Sequence, residues 1–288
     1  MTATAVLPQE LEIGLVQIRV SHLERSLTFY QNVVGLKILR QHGREVEMTA
    51  DGEHALLVLR EIEQAQVLRR NSAAGLYHFA ILLPDRPSLG LALRNLVDSG
   101  IHIGQGDHLV SEALYIQDPD NNGIEIYRDR PRDTWQHDGN GDVVMTTDPV
   151  DVDGLLAASE GLEWTGLPAG TVIGHVHFHV GDLVEAAKFY VDALGFVPTT
   201  QYGDSALFIS AGGYHHHMGL NIWAGQGAPA APANTPGIDY FTLLLPSSQD
   251  VTEVAERVKH AGYRVAVTEG ITTVTDPWNI GIQLLVKR

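Results

Sequence analysis

Residues 14–30 read Gly-Leu-Val-Gln-Ile-Arg-Val-Ser-His-Leu-Glu-Arg-Ser-Leu-Thr-Phe-Tyr. Residues 174–190 read Gly-His-Val-His-Phe-His-Val-Gly-Asp-Leu-Val-Glu-Ala-Ala-Lys-Phe-Tyr. Both run through strand-like alternation and then a helix that closes on Phe-Tyr, and both continue into a hydrophobic-Gly-hydrophobic triplet, Val34 to Leu36 and Leu194 to Phe196. A second pair aligns without a gap: Gly75-Leu-Tyr-His-Phe-Ala-Ile-Leu-Leu-Pro84 on Gly237-Ile-Asp-Tyr-Phe-Thr-Leu-Leu-Leu-Pro246. A helix follows each, stopping at Ser99-Gly100 and Ala261-Gly262, with glycine at the usual helix-stop position. Strands then flank a turn, Asp118-Pro119 before Ile124-Glu125-Ile126 and Asp276-Pro277 before Ile282-Gln283-Leu284. The chain is therefore one unit repeated four times, each reading strand, helix, then about three strands. Such a unit has one apolar sheet face that it cannot bury alone, so two must pack side by side around a curved, cup-like sheet.

Leu15, His78, His175 and Tyr240 head the four first strands. The interval from His78 to His175 is longer than the others by a polar stretch rich in Gly, Pro and Asp. This divides the chain into an N-terminal half at 1–130, a linker at 131–171 and a C-terminal half at 172–288. Within the linker, Val152–Ala158 has the pattern of a short helix. The acidic Asp148-Pro-Val-Asp-Val-Asp153 lacks the spacing and glycine of a calcium loop and reads as solvated chain.

Composition limits the chemistry. The 288 residues hold no Cys and 14 His, with Lys plus Arg at 19 against Asp plus Glu at 35, a formal charge of −16. So acidic a surface repels phosphate backbones and anionic lipid, which argues against nucleic-acid and membrane partners. Without thiols, a transition metal can be held only by imidazoles and carboxylates. Met1 to Glu10 lacks the basic and apolar regions of a secretion signal, and no apolar run is long enough to span a bilayer, so a cytoplasmic location is expected. The sequence leaves self-association open.

A βαβββ module used four times resembles the vicinal oxygen chelate superfamily, which includes glyoxalase I, bleomycin-resistance proteins and type I extradiol dioxygenases. The resemblance runs from about Ile13 to Lys287. It implies an α+β fold of four βαβββ modules forming two cup-like pseudo-barrels, with metal ligands on the first and last strands of the modules. Of the equivalent positions, only His78, Glu125 and His175 can bind a metal strongly. Leu15, Tyr240 and Gln283 cannot. Pairing module 1 with 2 and 3 with 4 would keep His175 apart from His78 and Glu125. Pairing 2 with 3, and 1 with 4, unites them. The expected set is then two His and one carboxylate, which leaves metal positions open for substrate and O2.

The likeness to extradiol ring-cleavage enzymes extends further. It implies a Tyr ten residues before the ligand Glu, here Tyr115; a His before that in a Gly-x-His context, here His108; and a His-His pair entering the last strand of the other module. In Tyr214-His-His-His-Met-Gly-Leu-Asn221 the catalytic place of that pair falls on His217, or on His216 if the register shifts by one. His177 and His179 share a sheet face with His175, as members of a polar pocket. His22, His42, His54, His102, His137 and His260 read as surface or loop residues, while Trp135, Trp164, Trp223 and Trp278 could line the pocket or pack. The resemblance implies an Fe(II)-dependent (or Mn(II)-dependent) dioxygenase that opens a catechol or hydroquinone-like ring in the breakdown of aromatic compounds. Two rivals stand beside it. One is a glyoxalase-like isomerase or thiol transferase, which would need a second carboxylate on the partner module. The other is a metal-free small-molecule binding protein.

Overall fold

The structure is a computed structural model describing residues 6–287. Met1–Ala5 lie outside the described residues, and with them half of the stretch read as lacking a secretion signal. Module 1 comprises β1 (Glu12–Val20), α1 (Leu23–Phe29), β2 (Lys37–His42), β3 (Glu45–Thr49) and β4 (Leu57–Glu61). Module 2 comprises β5 (Gly75–Leu82), α2 (Arg86–Asp98), β6 (Gly104–Asp107), β7 (Ser111–Gln117) and β8 (Gly123–Asp129). After the short α3 (Val152–Ala158) comes module 3, with β9 (Val172–His179), α4 (Leu183–Ala187), β10 (Val197–Tyr202), β11 (Ala206–Ser210) and β12 (Met218–Asn221). Module 4 is β13 (Gly237–Leu245), α5 (Ser248–His260), β14 (Arg264–Thr268), β15 (Ile271–Thr275) and β16 (Gly281–Val286). Among the described residues no helix is long and apolar enough to cross a membrane.

The modules pair as the ligand pattern requires. One eight-stranded sheet runs β14-β15-β16-β13-β1-β4-β3-β2 and joins modules 4 and 1; the other runs β10-β11-β12-β9-β5-β8-β7-β6 and joins modules 3 and 2. Each cup closes on an antiparallel pair of first strands, β1 with β13 and β5 with β9. Alternation along these strands gives the two faces different fates. Phe79 and Ile81 of β5, Val176 and Phe178 of β9, Val16 and Ile18 of β1, and Phe241 and Leu243 of β13 all turn away from the cups into one shared core. There the two sheets pack back to back, with the Phe178 and Phe241 rings 5.7 Å apart. Residues of the opposite parity, His78, Ala80, His175, His177 and His179, face the interior of the second cup.

The stretch between the halves is more than a spacer. Asp148, Asp151 and Asp153 are exposed as expected, and Asp151 caps α3 by accepting from Gly154 N–H. Yet Leu155 and Val150 are buried in the main core, while Trp135 and Val143 pack on Val110 and Tyr214. Apolar side chains spaced through a polar segment were enough to anchor it.

Candidate metal centre

The site is assembled by strand register. In β5, Ala80 lies opposite Glu125 of β8 on one side and His175 of β9 on the other. His78 projects to the same face two residues earlier. Alanine keeps this central spot open, so that the three longer side chains converge above it. One donor atom from each of His78, Glu125 and His175 lies within 4.8 Å of the others, and all three residues are buried. The Nε2 atoms of both histidines stand 3.0 Å from the same Glu125 oxygen, Oε2. His175 is aligned to hydrogen-bond it. His78 Nε2 is not, and it has no hydrogen-bond partner despite its burial. Two imidazole nitrogens crowding one carboxylate oxygen, one of them orphaned, is a donor set that fits a divalent cation better than it fits itself. Burial lowers the basicity of His78. Burial alone would raise the Glu125 carboxyl, but His175 and His78 hold it well below its ordinary range. Neutral imidazoles and an ionised carboxylate are the forms a metal needs.

The same register repeats in all four modules and shows what the other positions became. The partner of the residue two past each ligand position is Glu125 in module 2, Gly219 in module 3, Gln283 in module 4 and Val58 in module 1. In module 3 a carboxylate is sterically barred as well as absent: a Cβ on Gly219 would lie 2.7 Å from the His177 ring.

Beside the three donors opens a cavity of about 550 Å³, lined by Tyr77, Tyr115, His108, His177, Phe208, His216 and Trp223 among others. Tyr115 lies opposite Glu125 across β7 and β8. His108 Nδ1 is 2.7 Å from the Thr146 carbonyl, which can only accept, so Nδ1 carries the proton. The other nitrogen, Nε2, then accepts from the Tyr115 hydroxyl at 2.7 Å. Burial pushes Tyr115 well above its ordinary range. Both Tyr115 and His108 thus line this cavity. The Thr146 carbonyl that orients His108 comes from the connecting segment, as do Met145 and Thr147 in the cavity wall.

His177 accepts from Asn221 Nδ2 at 2.9 Å, and Asn221 is oriented by the Trp223 N–H on its Oδ1. His179 meets Asn221 Oδ1 at 2.6 Å. Neither histidine belongs to the donor cluster. Of the four tryptophans, Trp223 lines the cavity, whereas Trp135 and Trp278 are buried in packing clusters. The six histidines read as surface or loop are exposed.

One residue is displaced from its expected place. His217 does not reach the cavity. Its Nδ1 accepts from Ala211 N–H at 3.2 Å and its ring packs 4.9 Å from Tyr214, and burial pushes it down to about 3. His216 faces the site instead, with its ring 4.2 Å from that of His175 and its basicity held well below the ordinary value by burial and by neighbouring imidazoles. The cause is local. Gly212 and Gly213 take successive left-handed conformations (φ +62° and +67°), which reverse the chain after β11, and residues 214–217 then run as irregular chain up to β12, so strand alternation does not extend to them.

Residues 12–126 and 172–284 match the sequence profile of the Glyoxalase/Bleomycin resistance protein/Dioxygenase superfamily. The chain belongs to that superfamily. It is 55% identical over 270 residues to a catechol-2,3-dioxygenase of Bacillus subtilis strain 168, covering 93% of this chain and 95% of that one. Among solved structures, glyoxalase I from Zea mays superposes with a TM-score of 0.57 at 16% identity, over 96% of this chain and 92% of that one. The cppA protein from Streptococcus pneumoniae TIGR4 gives 0.57 at 12% identity, over 96% and 98%. At such identities the likeness is one of fold. Within the superfamily, the centre described above draws on modules 2 and 3, and the cup of modules 1 and 4 keeps no cluster of metal-binding donors among the described residues.

Proposed function

We propose that this superfamily member is an extradiol dioxygenase that binds Fe(II) through His78, Glu125 and His175, and inserts O2 into a catechol ring beside the hydroxyls to give a ring-opened semialdehyde. The observation that carries the reading is Gly219. It occupies the place where a second module would contribute a fourth ligand, and leaves a two-His, one-carboxylate set with positions free for substrate and O2. A glyoxalase-like isomerase needs a carboxylate on that strand. The 55% identity to a catechol-2,3-dioxygenase supports the same choice. Mn(II) suits the same donors and is the alternative metal.

Bound at these residues, Fe(II) supplies Lewis acidity toward the catechol oxygens and a path for electrons between ring and O2. The protein's own part is orientation and protons. Phe208, Tyr77 and Trp223 offer flat apolar surfaces to an aromatic ring. The Tyr115 proton points to His108, so a lone pair of the Tyr115 oxygen is free to accept from a catechol hydroxyl. As that hydroxyl ionises, its proton passes to the Tyr115 oxygen while the Tyr115 proton moves to His108 Nε2. His216, on another wall of the cavity, is the neutral imidazole available to carry a proton during ring cleavage.

The test is to load the protein anaerobically with Fe(II), add catechol and then air, and follow the yellow ring-opened product by absorbance. Product formation is expected. No product from any of several catechols, together with turnover of a methylglyoxal–thiol adduct, would transfer the protein to the isomerase class.

A further inference from the structure

We propose that Asp129 and His215 are positioning residues that fix the tautomer of His216, presenting its Nε2 to the substrate cavity as an acceptor. The inference rests on the ring-cleavage reading, in which His216 is the imidazole beside the substrate.

The argument starts from a group with no choice. A carboxylate only accepts hydrogen bonds. Asp129, the last residue of β8, takes the Tyr214 hydroxyl on Oδ2 and His215 Nε2–H on Oδ1, both at 2.9 Å. Neutral His215 therefore carries its proton on Nε2, and its Nδ1 is a lone pair. That lone pair lies 2.8 Å from Nδ1 of His216. Two lone pairs at that distance would repel, so His216 donates from Nδ1, and its other nitrogen is left unprotonated. The same logic runs down the other branch. With its own proton committed to Asp129, the Tyr214 oxygen accepts from Tyr127 at 2.7 Å. The Tyr127 ring in turn packs 4.8 Å from His175.

Every donor in this chain thus points toward one carboxylate, and packing holds it in place. His215 is fully buried, with the Tyr214 ring 4.1 Å away and the Trp135 ring 5.2 Å away. Gly174 completes the arrangement, because a Cβ there would strike the Tyr127 hydroxyl at 1.8 Å. The strand that supplies Glu125 to the metal centre therefore also supplies, four residues later, the group that orients the imidazole across the cavity. Outer partners of this kind set which nitrogen of an imidazole is available.

The test reads the tautomer directly. Nitrogen-15 NMR of the metal-free protein should show His216 protonated on Nδ1. In Asp129→Asn the amide can donate to His215 Nε2, which moves the His215 proton to Nδ1 and forces His216 to carry its proton on Nε2. His215→Gln keeps a donor toward Asp129 and an acceptor toward His216, and should preserve the wild-type tautomer; His215→Leu should lose it. With Fe(II) loaded, Asp129→Asn should lower kcat for catechol at least about tenfold, with metal content and KM little changed, and Asp129→Glu should recover most of it. The proposal fails if His216 carries its proton on Nε2 in the wild type, or if none of the variants shifts it. It also fails if kcat, KM and metal content decline together in Asp129→Asn, the pattern of a merely structural role. If Asp129→Asn does not fold, the two His215 variants decide alone. Because the tautomers are read without metal, a wild-type enzyme that cleaved no catechol would overturn the ring-cleavage reading and leave this result standing.

Discussion

Ala80 makes no bond of its own in the centre, yet it is the residue that gives the centre its space. It sits between Glu125 and His175 in register, where a longer side chain would fill the volume the three donors share. Nothing in a single sequence marks such an alanine, because its role is to be small. The three donors themselves were legible because the repeat makes equivalent positions comparable, so that His78 and His175 stand out from Leu15 and Tyr240. His216 was only half legible. The resemblance selects His217, or His216 if the register shifts by one, and the irregular chain at 214–217 offers no strand alternation to choose between them. The distinction is testable by one pair of variants. His216→Ala should retain iron and lose turnover by roughly a hundredfold, the scale of a lost acid–base group. His217→Ala should keep both iron content and most of kcat. Iron content by absorption spectrometry and kcat by product absorbance separate the cases, and the reverse order of losses would restore His217.

The Phe-Tyr pair and the Asp-Pro turn, met first as repeat markers, turn out to be two ends of one contact. The Tyr30 hydroxyl donates to Asp118 at 3.0 Å, and Tyr190 to Asp276 at 2.9 Å. Each tyrosine lies in a π-helical turn, Tyr30–Val34 and Lys188–Ala193, that continues α1 or α4. Each aspartate also accepts backbone N–H groups of its own turn, as Asp276 does from Trp278 and Ile280. In this way the helical segment of one module is pinned to the turn before the last strand of the next. Burial pushes Asp276 up to about 7 despite these bonds. Since its unfolded value is near 3.8, the folded state holds the proton more tightly. The stability this group contributes is then fully present below about pH 4 and is lost as the pH rises through about 7. Wild type minus Asp276→Asn, followed as unfolding free energy by urea titration, should therefore decline across that window. A flat difference would mean that Asp276 is ionised throughout. Element boundaries were otherwise well marked in the sequence, down to α3 at Val152–Ala158, because caps and alternation are local signals.

Over the whole molecule, the metal centre is a joint between halves of the chain. His78 and Glu125 come from the N-terminal half and His175 from the C-terminal half, across the β5–β9 seam. A ligand that binds only this folded arrangement stabilises all of it by mass action. Fe(II) at a hundred times its dissociation constant should add about 2.7 kcal/mol, which for a chain of this size raises Tm by about 5 °C. Chelation should reverse the rise, and Glu125→Gln should abolish it; differential scanning calorimetry under anaerobic conditions reads all three. The sequence alone determined the four-fold module, the −16 charge that disfavours phosphate surfaces, the absence of thiols and the three residues able to hold a metal, because each of these is set by residue identity or local periodicity. With the family resemblance, which implies that the ligands share one cup, it also pointed to the exchanged pairing of modules, since no other pairing unites them. Only the tertiary structure decided what surrounds them: the placement of His216 rather than His217 at the cavity, the space over Ala80, the Thr146 carbonyl that orients His108, and the chain from Asp129 through His215. These depend on where side chains from distant elements meet within a few ångströms, and a strand's alternation says which face a residue takes but not what it will find there.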